Sequence, residues 1–235
     1  MNKFSIFAAK VWAYKSALVL ILANLIPLGS VLLLGWNAFD IVFLYWMENL
    51  VIGGFNIVKM LICGAVGNPV GEDNGPKTPR LAVLSGTLFL IAFFTFHYGL
   101  FCMVHGFFVT HLFGKSASAM VNSPLDLVHY AVEATRGRFG SSILALILSH
   151  GFSFIANYLM GGEYKKVRVN ALFVAPYGRI VLLHIALLLG AFTAMMFGSP
   201  ITILVLLVLG KISLDLILHL QERERGVISW KQLTP

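Results

Sequence analysis

Charge is what this sequence has least of. Asp, Glu, Lys and Arg make up 11% of the 235 residues, against about 25% in an average soluble domain. The hydrophobic share is 58% and the mean hydropathy +0.86. A soluble globule of that composition could not cover its surface with polar groups, which excludes a soluble enzyme and a disordered tail. Cysteine is nearly absent too. Cys63 and Cys102 give neither a disulfide framework nor a zinc-knuckle spacing. Each lies in or beside an apolar segment and reads as packing. Runs of Lys and Arg are missing, so the net charge of +7 does not mark a nucleic-acid surface. No internal repeat is evident, and nothing points to an inverted-repeat transporter. What remains is an all-α polytopic membrane protein, with residues 1–235 forming a single integral membrane domain.

Long apolar runs predict six spans, at about 16–35, 39–62, 81–112, 140–160, 178–197 and 200–220. The third would be ~48 Å long at 1.5 Å per residue, so it must tilt or protrude. Lys3, Lys10 and Lys15 precede the first run, but no small-x-small cleavage site follows it. It reads as a retained span rather than a signal peptide. Phe4, Phe7, Ala8, Val11 and Trp12 fall near one helical face, the pattern of a short interfacial helix. Of the 17 Lys and Arg, 13 (Arg179 among them) fall in loops on one side, 3 on the other, and Lys211 inside a span. That bias predicts a six-helix bundle with both termini in the cytoplasm.

The connections have their own chemistry. Gly35-Trp36-Asn37 and Gly198-Ser199-Pro200 predict tight hairpins. Ser123-Pro124-Leu125-Asp126 combines a capping hydroxyl, a first-turn proline and an acid at the positive end of the dipole. It predicts a helix to about Thr135, on the outer face and over a cavity mouth. Gly53, Gly54, Gly99, Gly106 and Gly151 permit close helix contact or an oligomer seam.

Ionisable residues inside spans are expensive and generally face the interior. The second span carries Tyr45, Glu48, Asn49 and Asn56. The third carries His97, Tyr98 and His105, and the fourth His150, Ser153 and Asn157. The fifth carries His184, and the sixth Lys211, Asp215 and His219. A turn near Ser199 sets His184 and Asp215 at matching depth, and i, i+4 spacing aligns His219 with Asp215. Two imidazoles and a carboxylate suit a divalent transition metal, zinc first. The expected metal ligands are His150, His184, Asp215 and His219. Lys211 would orient Asp215 or hold an anionic substrate group. Glu48 with His97 forms a candidate acid/base pair in the same polar cavity as His150, since a carboxylate taken out of water can exchange protons near neutral pH. His105, His111 and His129 fall toward the outer surface, and no direct role is expected of them.

Plainer readings stay open. Lys211 and Asp215 can neutralise each other as an i, i+4 pair. A lone intramembrane His can simply pack and hydrogen-bond. Five polar-bearing helices favour a shared site, and three functions fit one. The first is a metal-dependent hydrolase acting on a lipid or membrane-dissolved substrate. The second is a transporter or proton relay. The third is a b-type haem protein with axial histidines.

The segments Tyr45-Trp46-Met47-Glu48-Asn49, Phe96-His97-Tyr98-Gly99, Val104-His105-Gly106-Phe107, Ser149-His150-Gly151-Phe152-Ser153-Phe154 with Asn157, Pro176-Tyr177-Gly178-Arg179 with His184, and Lys211 with Asp215 and His219 carry a resemblance. Together they resemble a bacterial inner-membrane family of unknown function associated with the trimeric integral membrane enzyme (TIME). The resemblance implies a homotrimer in the bacterial inner membrane with a metal-dependent site. A fainter likeness to membrane metallohydrolases such as the alkaline ceramidases lacks their paired HxxxH motif, so ceramidase activity does not follow.

Overall fold

The computed structural model describes residues 36–66, 79–197, 209–210 and 213. They form α1 (Ala38–Val66), α2 (Arg80–Phe113), the single turn α3 (Lys115–Ser118), α4 (Pro124–Arg136), α5 (Gly140–Ser153), α6 (Val169–Val174) and α7 (Tyr177–Phe197). No strand occurs among the described residues. α5 continues without interruption into seven residues of π-helix, Phe154–Met160. Four stretches are long and apolar enough to cross a membrane: Ala38–Val66, Leu81–Phe113, Gly140–Met160 and Val169–Phe192. They answer to the second to fifth predicted spans. The first span, all of the sixth but residues 209, 210 and 213, the N-terminal interfacial helix and the Ser199 turn lie outside the described residues.

Local chemistry sets the helix starts. At α1 the Asn37 Oδ1 accepts the Asp40 N–H at 3.0 Å, and the Asp40 Oδ2 accepts the Asn37 N–H at 2.9 Å. This is a reciprocal cap. α4 begins as its sequence predicts: Ser123 Oγ accepts the Asp126 N–H at 3.2 Å, with Pro124 in first position.

The chain divides into two compact units, Val42–Leu187 and Met1–Ile41 with Leu188–Pro235. Within Val42–Leu187, α1 is the element that the others pack around. Against α2, Trp46 Nε1 donates to the Cys102 carbonyl at 2.7 Å, and Tyr98 Oη donates to the Asn49 carbonyl at 3.0 Å. Gly53 permits that approach, because a Cβ there would stand 2.6 Å from the Tyr98 ring. Against the π segment, Phe55 meets Phe154 and Tyr158 Oη donates to the Lys59 carbonyl at 2.6 Å. α4 closes on the start of this unit, with Tyr130 edge-on to Phe43. It helps line an apolar cavity of about 480 Å³ together with Trp46, Met47, Gly99 and Cys102. The outward residues are large and apolar, including Phe89, Phe96, Phe152 and Met160, as a lipid-facing surface requires.

The fourth described span is broken. Pro176 separates α6 from α7 and has no N–H to give the carbonyl four residues back, that of Leu172. An orphan carbonyl away from water is costly. Asn56 of α1 supplies the missing donor, with Nδ2 at 2.8 Å from the Leu172 oxygen. The break also corrects the predicted boundary. The apolar stretch begins at Val169 rather than about residue 178, so Arg179 lies inside a stretch able to cross a membrane and not in a loop.

Candidate functional site

Glu48, His150 and Arg179 each stand ten residues inside their spans, about 15 Å along the helix. They meet. Glu48 Oε1 accepts from His150 Nε2 at 3.3 Å and from Arg179 Nη1 at 3.4 Å. Glu48 is buried, while His150 and Arg179 are partly so. Three helices therefore contribute to one charged centre. An ionised carboxylate at this depth needs a counter-charge, and Arg179 supplies it.

A second set of polar groups lies where α2 faces α7. The two helices run in the same direction, so equal steps along each keep them in register. His97 Nδ1 lies 2.7 Å from Tyr177 Oη. Two turns further along α2, His105 Nε2 lies 3.1 Å from His184 Nδ1. His105 Nδ1 bonds the Phe101 carbonyl at 2.6 Å. The His97 ring stacks on Phe93 and meets Phe101 edge-on, which holds its plane. His105 is 2% exposed, and His184 is exposed at the rim of the same contact.

A family model described as a family of unknown function (DUF6498) matches residues 10–227. The chain belongs to that family. No curated protein and no solved structure matches it. The match brings no substrate or cofactor to this DUF6498 member, so the residues themselves must carry any assignment.

Among the candidate catalytic residues, Glu48 joins His150 and Arg179, and His97 joins Tyr177. Among the candidate metal ligands, His150 and His184 are described, each already engaged through one ring nitrogen. Lys211, Asp215 and His219 lie outside the described residues. Among the described residues no group of three His, Cys, Asp or Glu side chains is placed to hold a metal ion.

Three residues of these clusters escape the sequence reading. Tyr177 and Arg179 are hidden because Pro176-Tyr177-Gly178 looks like a loop. The signal was the apolar run that starts before the proline, at Val169. His105, placed toward the outer end of its span with no direct role expected, is buried and bonded to His184. Its signal was the stripe His97, Phe101, His105 at i, i+4, i+8, facing Tyr177 and His184 seven residues apart on their own helix. Asn56, Trp46 and Tyr98 serve backbone carbonyls, so part of the polar content of the spans is structural.

Proposed function

We propose that this chain is a membrane-embedded, metal-dependent enzyme of hydrolase type, acting on a lipid or membrane-dissolved substrate. The observation that carries the reading is the Glu48–His150–Arg179 centre. Charged and titratable groups from three helices, held together at membrane depth, are a costly arrangement that helix packing alone does not require. Glu48 exchanges the proton, His150 and Arg179 hold its carboxylate in place, and the His97–Tyr177 pair borders the substrate. The metal, zinc foremost, would supply polarisation of a carbonyl or activation of a water. His184 suits it as a ligand, because its Nδ1 is engaged and its Nε2 remains to bind. Asp215 and His219 as further ligands, and Lys211 for an anionic group, remain expectations from the sequence, since all three lie outside the described residues.

Metal analysis of protein purified with and without chelator tests this reading. Stoichiometric zinc or iron that disappears in Asp215→Ala supports it, and absence of metal from protein never exposed to chelator ends it. A Soret band in the same preparation would establish haem instead. The ring-to-ring bond between His105 and His184 favours proton relay as the second reading. Proton uptake into vesicles, abolished by His184→Ala without any bound metal, would replace the first reading with it.

The six-span topology with cytoplasmic termini and the homotrimer belong to the same proposal, on the Lys and Arg bias and the motif likeness to TIME. Moving Arg179 into the bundle leaves the bias at 12 to 3. Labelling of Ser118→Cys from outside, and of Gly75→Cys only after permeabilisation, checks the topology. The particle mass in detergent checks the trimer.

A further inference from the structure

We propose that His105 is a positioning residue for His184: it accepts the Nδ1–H of that ring and so keeps the His184 Nε2 as a lone-pair nitrogen. The proton inventory gives this directly. The Phe101 carbonyl has no proton to donate, so the 2.6 Å bond to His105 Nδ1 takes its hydrogen from the ring. In a neutral imidazole the other nitrogen is then an acceptor. His105 Nε2 faces His184 Nδ1 at 3.1 Å, so His184 Nδ1 carries the hydrogen of that bond. A neutral His184 protonated at Nδ1 has no hydrogen on Nε2.

The backbone of α2 thereby sets the tautomer of a side chain on α7 through two rings. His105 is buried, which keeps water from replacing it as the acceptor. The rings meet edge-on, with centroids 5.1 Å apart and planes at 74°, so the bond also fixes the His184 plane. A ligating or basic histidine needs its tautomer and its plane fixed in this way. The benefit to metal binding rests on the reading of His184 as a ligand; the tautomer does not.

The test is nitrogen NMR of histidine-labelled protein in detergent at pH 8, above the ordinary imidazole range, with assignment by single substitutions. We expect a protonated Nδ1 and a bare Nε2 on both His105 and His184. His105→Leu removes the acceptor and should shift His184 toward the Nε2–H form, lowering zinc affinity by about 10–100-fold. His105→Gln offers a side-chain carbonyl in place of the ring nitrogen and should keep both the tautomer and the affinity near wild type. A hydrogen on His184 Nε2 in the wild-type protein overturns the proposal, as does an unchanged tautomer in His105→Leu. If the tautomer behaves as expected but no zinc binds the wild type, the positioning role stands and the metal-enzyme reading falls.

Discussion

Two carboxylates in this chain are tied down in opposite ways. Glu48 sits inside the bundle, where its carboxylate takes the Arg179 guanidinium and the His150 imidazole as partners. Asp126 sits in the first turn of α4, outside the apolar stretches and only partly covered. Its partners are the Ser123 hydroxyl and the Asn122 N–H, the latter at 3.1 Å. Hydrogen bonding from Ser123, followed by that from Asn122, holds its carboxyl below the usual carboxylate range. In water, neutral donors and the helix dipole suffice to favour the anion. Away from water they do not, and the sequence has to bring a cation from another helix.

The largest test of this contrast is Glu48→Ala. It takes the buried carboxylate away from the partly buried Arg179 and His150, and we expect a loss of about 3–5 kcal/mol in unfolding from detergent micelles. The double variant Glu48→Leu with Arg179→Met removes both charges and should recover most of that loss. If Glu48→Ala unfolds no more easily than Ser123→Ala, the contrast is broken.

Asn56→Leu asks how a neutral buried group compares on the same helix. It orphans the Leu172 carbonyl and should cost about 1–3 kcal/mol, less than loss of the Glu48 charge. Pro176→Ala restores a backbone N–H to that carbonyl, so it should rescue Asn56→Leu in the same unfolding assay. Failure of the rescue would show that Asn56 acts through something other than the break.

Ser123→Ala removes the cap in water and should cost about 1 kcal/mol. Amide exchange should speed up in the first turn of α4 and remain unchanged in α1. The smallest effect is on pH. Because the folded carboxyl of Asp126 titrates lower than it does unfolded, its contribution is fully present above the usual carboxylate range. It is lost as pH falls through the lowered value. Acid should therefore fray α4 first, and Asp126→Asn should flatten that dependence in the exchange profile.

The legible parts of the fold are those governed by short-range rules. The Ser123 cap and the second to fourth spans follow from side-chain chemistry and hydropathy alone. The fifth span has its start misplaced, because Pro176 and Gly178 end helices in water but are tolerated at membrane depth when a neighbour supplies the missing donor. Asn56 is that neighbour, and it lies 120 residues away in sequence. The candidate site was legible as an inventory of costly residues and illegible as a set of pairs. The stripes put Glu48, His97 and His150 in one cavity with His97 as the partner of Glu48, whereas the structure bonds Glu48 to His150 and to Arg179, a charge that the side-to-side count assigns to a loop. Pairing depends on the rotation of each helix about its axis, and that is set by contacts such as Gly53 with Tyr98.

The π winding of Phe154–Met160 has a consequence in angular phase. An α-helix turns about 100° per residue, so eight residues from His150 to Tyr158 would place the two side chains roughly 80° apart. The wider i→i+5 winding turns more slowly, by roughly 80° per residue, and over the second half of that stretch it nearly cancels the offset. His150 can then point at Glu48 while Phe154 and Tyr158 still address Phe55 and Lys59 on the same partner helix. The segment acts as a vernier between the charged centre and the packing beyond it. Deleting one residue within it, at Ala156, would advance every side chain that follows and pull Tyr158 off the Lys59 carbonyl, with Glu48 and His150 left where they are.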